Sequence, residues 1–462
     1  MIRVFKHYVP TPLLVLGLLE FFVLIASAEL GWRVRVYQIG GQPGSVVGNI
    51  PEILTFGVVM YVAYLAVGAY QASACRSVRE SISRVMVASG VGLVGLSVIF
   101  FLVPIVALWR SVLLIATVFS IIGVFVLRVI FSRLVVWNRF RRRIVVLGAG
   151  ARASRIRELA EQPNASFSVA AFVRMAPDET EVAQAVDRTE VGTLVELVER
   201  EQAEEVVLAM KERRGALPLQ DLLATKVLGT RIYDLSSFLE RETGRVDLDS
   251  VNLSWLIFSD GFLASNRLSA VLKRLFDITA SALLLLATMP ILVLTAIAIK
   301  LTSPGPVFYR QERVGLYGAA FRIMKFRSMR TDAEKDGTPQ WAQKGDPRVT
   351  AVGRLIRATR IDEIPQIFNV FKGDMSFVGP RPERPFFVDD LVKDIPLYAE
   401  RHIVKPGITG WAQLNYPYGA SIEDARHKLE YDLYYVKNYT VFLDILILIQ
   451  TVRVVLWQDG VR

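Results

Sequence analysis

Val85 to Trp109 is a run of 25 residues without a charge. At about 1.5 Å per residue, such a run is long enough to cross the roughly 30 Å hydrocarbon layer as a helix. Ile53 to Tyr70 (18 residues) and Ser111 to Leu127 (17 residues) repeat the pattern. A further span, Leu13 to Ala28, is interrupted by Glu20. A carboxylate at that depth costs about 2.5–3.5 kcal/mol on insertion scales, so Glu20 is expected to face a neighbouring helix. Pro10, Pro12 and Glu20 argue against a cleavable signal peptide. Basic residues flank these runs unequally. Arg3 and Lys6, then Arg76, Arg79 and Arg84, then Arg133, Arg139, Arg141, Arg142 and Arg143 lie on one side; Arg33, Arg35 and Arg110 lie on the other. The positive-inside rule then places both ends of a four-helix unit in the cytoplasm.

Composition narrows the remainder. The chain has 462 residues, 52% of them hydrophobic, and a mean hydropathy of +0.38, which excludes a disordered protein and argues against a wholly soluble one. Charged residues at 21% exclude a uniform membrane bundle. A net charge of +10 suits nucleic acid, anionic lipid or phosphorylated substrates. The basic stretch 139–143 directly follows a span, so lipid contact is expected there and nucleic acid is not. One cysteine, Cys75, and three scattered histidines, His7, His402 and His427, leave carboxylates, lysines and arginines to do any chemistry.

From Arg143 the texture changes. Ile144–Leu147 is β-branched and feeds Gly148-Ala149-Gly150-Ala151-Arg152-Ala153, and further strand patterns at 167–173, 205–209 and 231–235 alternate with helical ones. This order predicts a Rossmann-like parallel sheet. The glycine loop has the strand-to-helix setting of a dinucleotide fingerprint, but the acid expected at the end of the second strand is missing. Arg174 stands there, with Asp178 and Glu179 only later. A structural or regulatory domain is expected, ahead of nucleotide-sugar sensing or NAD-dependent catalysis.

The last two-fifths is basic and punctuated by proline and glycine. Ile278 to Ile299 is 22 uncharged residues holding Pro290, with Lys273 and Arg274 before it and Lys300 after. Proline removes a helical hydrogen bond and costs about 3 kcal/mol or more, which bends the helix. Cationic flanks at both ends favour a re-entrant helix that enters and leaves on one face. The last apolar segment, Val441 to Trp457, carries Asp444 and Arg453 and is expected to lie in the interface with Trp457 at headgroup level. Between them stands Asp362-Glu363. Adjacent helical residues point about 100° apart, so two such acids must divide their labour. Lys325, Arg327, Arg357 and Arg381 supply the cations that diphosphate recognition needs.

Seven motifs now occur in order: Lys273-Arg274-Leu275-Phe276-Asp277; Ser303-Pro304-Gly305-Pro306-Val307-Phe308; Gln311-Glu312-Arg313-Val314-Gly315; Lys325-Phe326-Arg327-Ser328-Met329; Asp362-Glu363-Ile364-Pro365-Gln366; Gly373 to Pro382; and Lys405-Pro406-Gly407-Ile408-Thr409-Gly410-Trp411. Together they resemble the bacterial initiating sugar transferases, the polyprenyl-phosphate hexose-1-phosphate transferases, and the N-terminal half is similar to their polytopic branch. The resemblance implies a membrane α-helical bundle of four spans over 1–140, an α/β Rossmann-like domain over 141–262, and a mainly α catalytic domain over 263–462 with a re-entrant helix near 278–299. It implies transfer of a hexose 1-phosphate, of glucose or galactose, from a UDP-sugar to undecaprenyl phosphate with release of UMP, opening exopolysaccharide, capsule or O-antigen assembly. Asp362 would be the nucleophile and Glu363 would help bind Mg²⁺. Lys325, Arg357 and Arg381 would handle phosphate. The location implied is the bacterial inner membrane, with the catalytic domain facing the cytoplasm; a homodimer is compatible with it. The family's kink proline often follows serine, whereas Met289 precedes Pro290 here.

Two other classes have weaker signals. A membrane-bound nucleotide-sugar dehydratase or epimerase needs Tyr four residues before Lys, a spacing absent here. A glycosyltransferase could use Asp247-Leu248-Asp249 as an acidic metal motif.

Overall fold

The computed structural model describes residues 2–457 apart from 5–6, 42–48, 72–77, 135–140, 163–164, 212–216, 252–266, 332–347, 418 and 420. Lys6, Cys75, Arg76 and Arg139 lie outside the described residues. The chain divides into two units, Met1–Val4 with Tyr8–Ser250, and Phe5–His7 with Val251–Arg462.

The first unit opens with four apolar helices: α1 (Thr11–Gln38), α2 (Ile50–Ala66), α3 (Val78–Leu102) and α4 (Arg110–Leu134). By length and composition α1, α3 and α4 are long enough to cross a membrane, and α2 is shorter at 17 residues. The chain is a membrane protein. Lipid offers no hydrophobic drive between helices, so close approach of backbones matters. Gly31 of α1 provides it: a Cβ there would fall 2.9 Å from the Ala116 backbone nitrogen of α4. The acid in the first span is matched as its depth requires. Glu20 is fully buried and accepts two hydrogen bonds from the Arg128 guanidinium, at 2.6 and 3.0 Å. Arg128 also donates to the Ala69 carbonyl and the Ser81 hydroxyl.

A five-stranded parallel sheet follows. Its strands β1 (Arg142–Leu147), β2 (Phe167–Arg174), β3 (Val186–Asp187), β4 (Glu205–Leu208) and β5 (Arg231–Asp234) stand in the order β3-β2-β1-β4-β5. This is the doubly wound order, with ligands ordinarily taken outside the carboxyl ends of the strands. Near-continuous burial of Ile144–Leu147 fits a central strand covered on both faces. Asp247 and Asp249, weighed above as a metal motif, are both ion-paired to Arg155, at 2.9 and 2.6 Å.

The second unit is mainly helical. Its long helix α5 (Arg267–Thr302) carries Pro290 in its interior, so the proline does not end the helix. An antiparallel hairpin, β6 (Phe308–Val314) with β7 (Ala320–Phe326), pairs Tyr309 with Lys325. Then come α6 (Ala351–Ala358), a 3₁₀ segment over Ile361–Gln366, α7 (Ile367–Lys372), and a parallel pair of short strands, Ser376–Val378 and Gly407–Thr409. Helices Ile422–Asn438 and Val441–Trp457 close the chain. Asp444 stands near the start of the last helix. It is buried and ion-paired to Lys273 of α5 at 2.5 Å, beside the Tyr435 hydroxyl at 2.7 Å. The side chains of Arg453 and Trp457 lie outside the described residues.

Candidate active site

One small apolar cluster sets the site. Leu292 and Ile299 of α5, Phe326 of β7 and Ile356 of α6 are buried together, with Ile361 and Ile364 packed against them. Several of these residues have charged neighbours in sequence: Lys325 before Phe326, Arg357 after Ile356, and Asp362 and Glu363 between Ile361 and Ile364. Burying the apolar set therefore gathers the polar set. Arg360, which precedes the 3₁₀ segment, has φ of 59°, a left-handed conformation uncommon for a side chain with a Cβ. That reversal carries the chain from α6 into the acid pair.

Lys325 donates to Glu363 Oε1 at 2.9 Å, and Arg381 donates to the same oxygen at 3.0 Å. The two acids are thereby driven apart. Burial pushes the Glu363 carboxyl up, but Arg381, Lys325 and Arg360 overcome it and hold the group well below the usual carboxylate range. Burial raises Asp362, and Glu363 adds to this, against the pull of Lys325, Arg357 and Arg360. Burial also lowers the Lys325 ammonium, opposed by Glu363. Asp362 Oδ1 is buried with no hydrogen-bond partner. Most buried polar atoms are paired, so an oxygen left without a partner calls for an explanation. Glu363 is thus tied to two cations through Oε1, and Asp362 keeps one oxygen without a partner.

The structure brings Lys325, Arg357, Arg381, Asp362 and Glu363 together, as the sequence suggested. Arg327 is placed elsewhere. Strand β7 ends at Phe326, so alternation no longer keeps Arg327 on the Lys325 face. Its buried guanidinium donates to the Pro304 carbonyl at 2.6 Å and to the Ser303 carbonyl and hydroxyl at 2.9 and 2.7 Å. It braces the 303–305 turn. Arg327→Ala is expected to lower the melting temperature while leaving the Michaelis constant for the donor nearly unchanged in the folded enzyme. A selective rise in that constant at unchanged stability would restore a substrate role.

Sequence reasoning missed Arg360 and the support beneath Arg381. Arg401 and Asp432 form a buried ion pair at 2.7 Å, and Arg401 also donates to the Arg381 carbonyl at 3.1 Å. Arg360 stands two residues before Asp362 and was available to the same charge argument. The Arg401–Asp432 pairing spans 31 residues and had no local signal.

The family model for bacterial sugar transferases matches residues 268–458, and one described as a CoA-binding domain matches residues 65–226. An uncharacterized sugar transferase of Bacillus subtilis is 44% identical over 196 residues, which are 42% of this chain and 91% of the relative. The chain belongs to the bacterial sugar transferase family. Another bacterial sugar transferase, the UDP-glucose:undecaprenyl-phosphate glucose-1-phosphate transferase of Caulobacter vibrioides, is 44% identical over 190 residues, 41% of this chain and 71% of the relative. The UDP-N-acetylgalactosamine-undecaprenyl-phosphate N-acetylgalactosaminephosphotransferase of Aeromonas hydrophila is 47% identical over 231 residues, half of this chain. That match spans 53% of the relative's own length. The acid pair and its cations all fall within the sugar transferase match.

Proposed function

We propose that this chain moves a hexose 1-phosphate from a UDP-sugar to undecaprenyl phosphate, releasing UMP, at the cytoplasmic face of the inner membrane as the opening step of a surface polysaccharide. The observation that carries this reading is the uncommitted, buried Asp362 Oδ1 beside a carboxylate already neutralised by Lys325 and Arg381. An Asp362 oxygen attacks the phosphorus nearest the sugar. A P–O bond forms to the carboxylate as the bond to UMP breaks, leaving an aspartyl-linked phosphosugar. An oxygen of undecaprenyl phosphate then attacks the same phosphorus, and the Asp362 carboxylate departs unchanged. Splitting one displacement into two through a carboxylate is established enzyme chemistry and implies ping-pong kinetics.

The barrier is chiefly repulsion between anions. At 4 Å a like-charge pair costs about 4 kcal/mol at an effective dielectric near 20. Lys325, Arg357, Arg360 and Arg381 offset this around the reacting centre, and Lys325 and Arg381 are held in place by Glu363. Part of α5 is proposed to lie re-entrant, bending at Pro290, which would keep the site at the surface where a lipid-linked acceptor and a soluble donor meet.

The residues present fit Mg²⁺. Both hydrogen bonds to Glu363 fall on Oε1, which leaves its Oε2 to a cation. Among the described residues no group of three or more acids, histidines or cysteines forms a complete cage. That suits an ion that habitually takes one or two carboxylates and completes its shell with substrate phosphates and water. Glu363 would help hold it, and when bound it would neutralise charge on the donor diphosphate. EDTA is expected to stop UMP release and added Mg²⁺ to restore it; full turnover after exhaustive chelation would remove the metal from the scheme.

The pH profile follows from the two shifts. Asp362 is raised above the ordinary aspartate value of 3.8, so it takes up a proton, and turnover falls, at a higher pH than an exposed aspartate would give. Lys325 is lowered from 10.5, so its positive charge is lost earlier on the alkaline side. The expected kcat/KM profile is a bell narrower than 3.8 to 10.5. Lys325→Arg should remove the alkaline limb, because arginine does not titrate there.

Incubation with UDP-glucose, UDP-galactose and UDP-N-acetylgalactosamine separates the classes by product. UMP supports this reading, UDP a glycosyltransferase, and an altered free nucleotide sugar a dehydratase or epimerase.

A further inference from the structure

The glycine loop of the sheet domain stands where a doubly wound fold takes a phosphate, at the carboxyl end of β1 and the start of the helix Ala151–Glu161. That position is already filled by the chain itself. Glu179 Oε2 accepts from the Ala149 amide at 3.0 Å and from the Met175 amide at 3.0 Å, and Glu179 is 9% exposed. The segment that delivers it is fastened across the loop. Arg174 Nε donates to the Glu179 carbonyl at 3.0 Å while its Nη1 donates to Asp187 at 2.7 Å, and the Val182 amide donates to the Ala149 carbonyl at 3.0 Å. Gly148 has an explanation without a ligand. At Gly148, φ is +126°, and a Cβ would fall 2.8 Å from the Ala209 carbonyl carbon and the Met210 nitrogen of the neighbouring chain segment. Gly150 lies beside the Glu179 Cγ, which a Cβ would meet at an ordinary contact distance of 3.7 Å.

We propose that the Glu179 carboxylate is the resident anion of this loop, replacing the phosphate of a nucleotide cofactor. The sheet domain is closed to CoA and to dinucleotides at the position where its fold class binds them. The acid that seemed missing at the end of β2 is present five residues later, turned onto the loop's own amides. An acid in the usual place would hydrogen-bond a ribose; here it occupies the anion site and repels any phosphate brought to it.

The test uses the full-length protein in detergent or nanodiscs. Wild type is expected to show no melting shift with millimolar CoA, NAD or inorganic phosphate. Its Ala149 and Met175 amides are expected to be protected from hydrogen exchange, with CoA leaving that protection unchanged. Glu179→Ala should melt about 5 °C lower and regain that loss with millimolar phosphate, because the inorganic anion refills the carboxylate's place. Saturable stabilisation of wild type by CoA or NAD would overturn the proposal, as would an unchanged melting temperature in Glu179→Ala. If that variant fails to fold, wild-type exchange decides alone: fast exchange at both amides that slows only when CoA is added contradicts the resident carboxylate. None of these measurements reads sugar transfer.

Discussion

Asp362→Asn is expected to reduce UMP release by on the order of 10⁴-fold or more, the scale on which loss of an enzyme nucleophile is felt. The substitution is nearly isosteric. The bonds from Lys325 and Arg381 go to Glu363, so the variant should keep them, insert in the membrane and melt close to wild type. The amide cannot form the phosphoryl ester, and its nitrogen would face the cations that now surround a carboxylate. Glu363→Gln should act differently. It leaves Lys325 and Arg381 without their shared anion, so it should weaken stability and turnover together. Wild-type turnover in purified Asp362→Asn would mean that another group attacks phosphorus.

Asp432→Ala is expected to destabilise the catalytic region by about 3–5 kcal/mol, the usual penalty for leaving one half of a buried ion pair behind. Arg401 and Asp432 are both nearly inaccessible, with side chains 5% and 3% exposed. Solvent cannot take over the role of the lost partner. The effect should reach the active site, because Arg401 also holds the Arg381 carbonyl and Arg381 holds Glu363. A lower melting temperature should therefore come with reduced turnover in the protein that remains folded. Replacing both partners with apolar residues of similar volume, as in Arg401→Met with Asp432→Leu, should recover much of the stability, since the stranded charge is gone. Recovery of stability without full recovery of turnover would mark Arg401 as a positioning residue. If Asp432→Ala melts with the wild type, the pair carries no such load.

The membrane part of the fold was legible because its signal is nearly independent of context: a long uncharged run has few alternatives to a helix in lipid. Even the exception was readable. Glu20 demanded a partner by its depth, although only the structure identifies Arg128 as that partner. The parallel sheet was legible from short apolar strands alternating with helical patterns. The acid pair was not legible from Asp362-Glu363 alone, which on any other helix would be a solvated face. It stood out through seven ordered motifs.

The contacts of Arg327, Asp444 and Glu179 were not legible, because they depend on what the fold brings against these residues. Arg327 turns to Ser303 and Pro304 once its strand ends; Asp444 meets Lys273, 171 residues away. Glu179 is folded back onto a loop 30 residues earlier. Polar partners at such separations leave no periodicity to read.

The central claim is that Asp362 holds the phosphosugar between the two half-reactions. Rapid acid quench of the enzyme with radiolabelled UDP-sugar, in the absence of undecaprenyl phosphate, tests it directly, with peptide mass spectrometry to locate the label. A hexose-phosphate adduct on the peptide carrying Asp362, chased into lipid product when acceptor is added and absent from Asp362→Asn, is the expected result. Lipid product forming at full rate with no labelled protein at any quench time would contradict it.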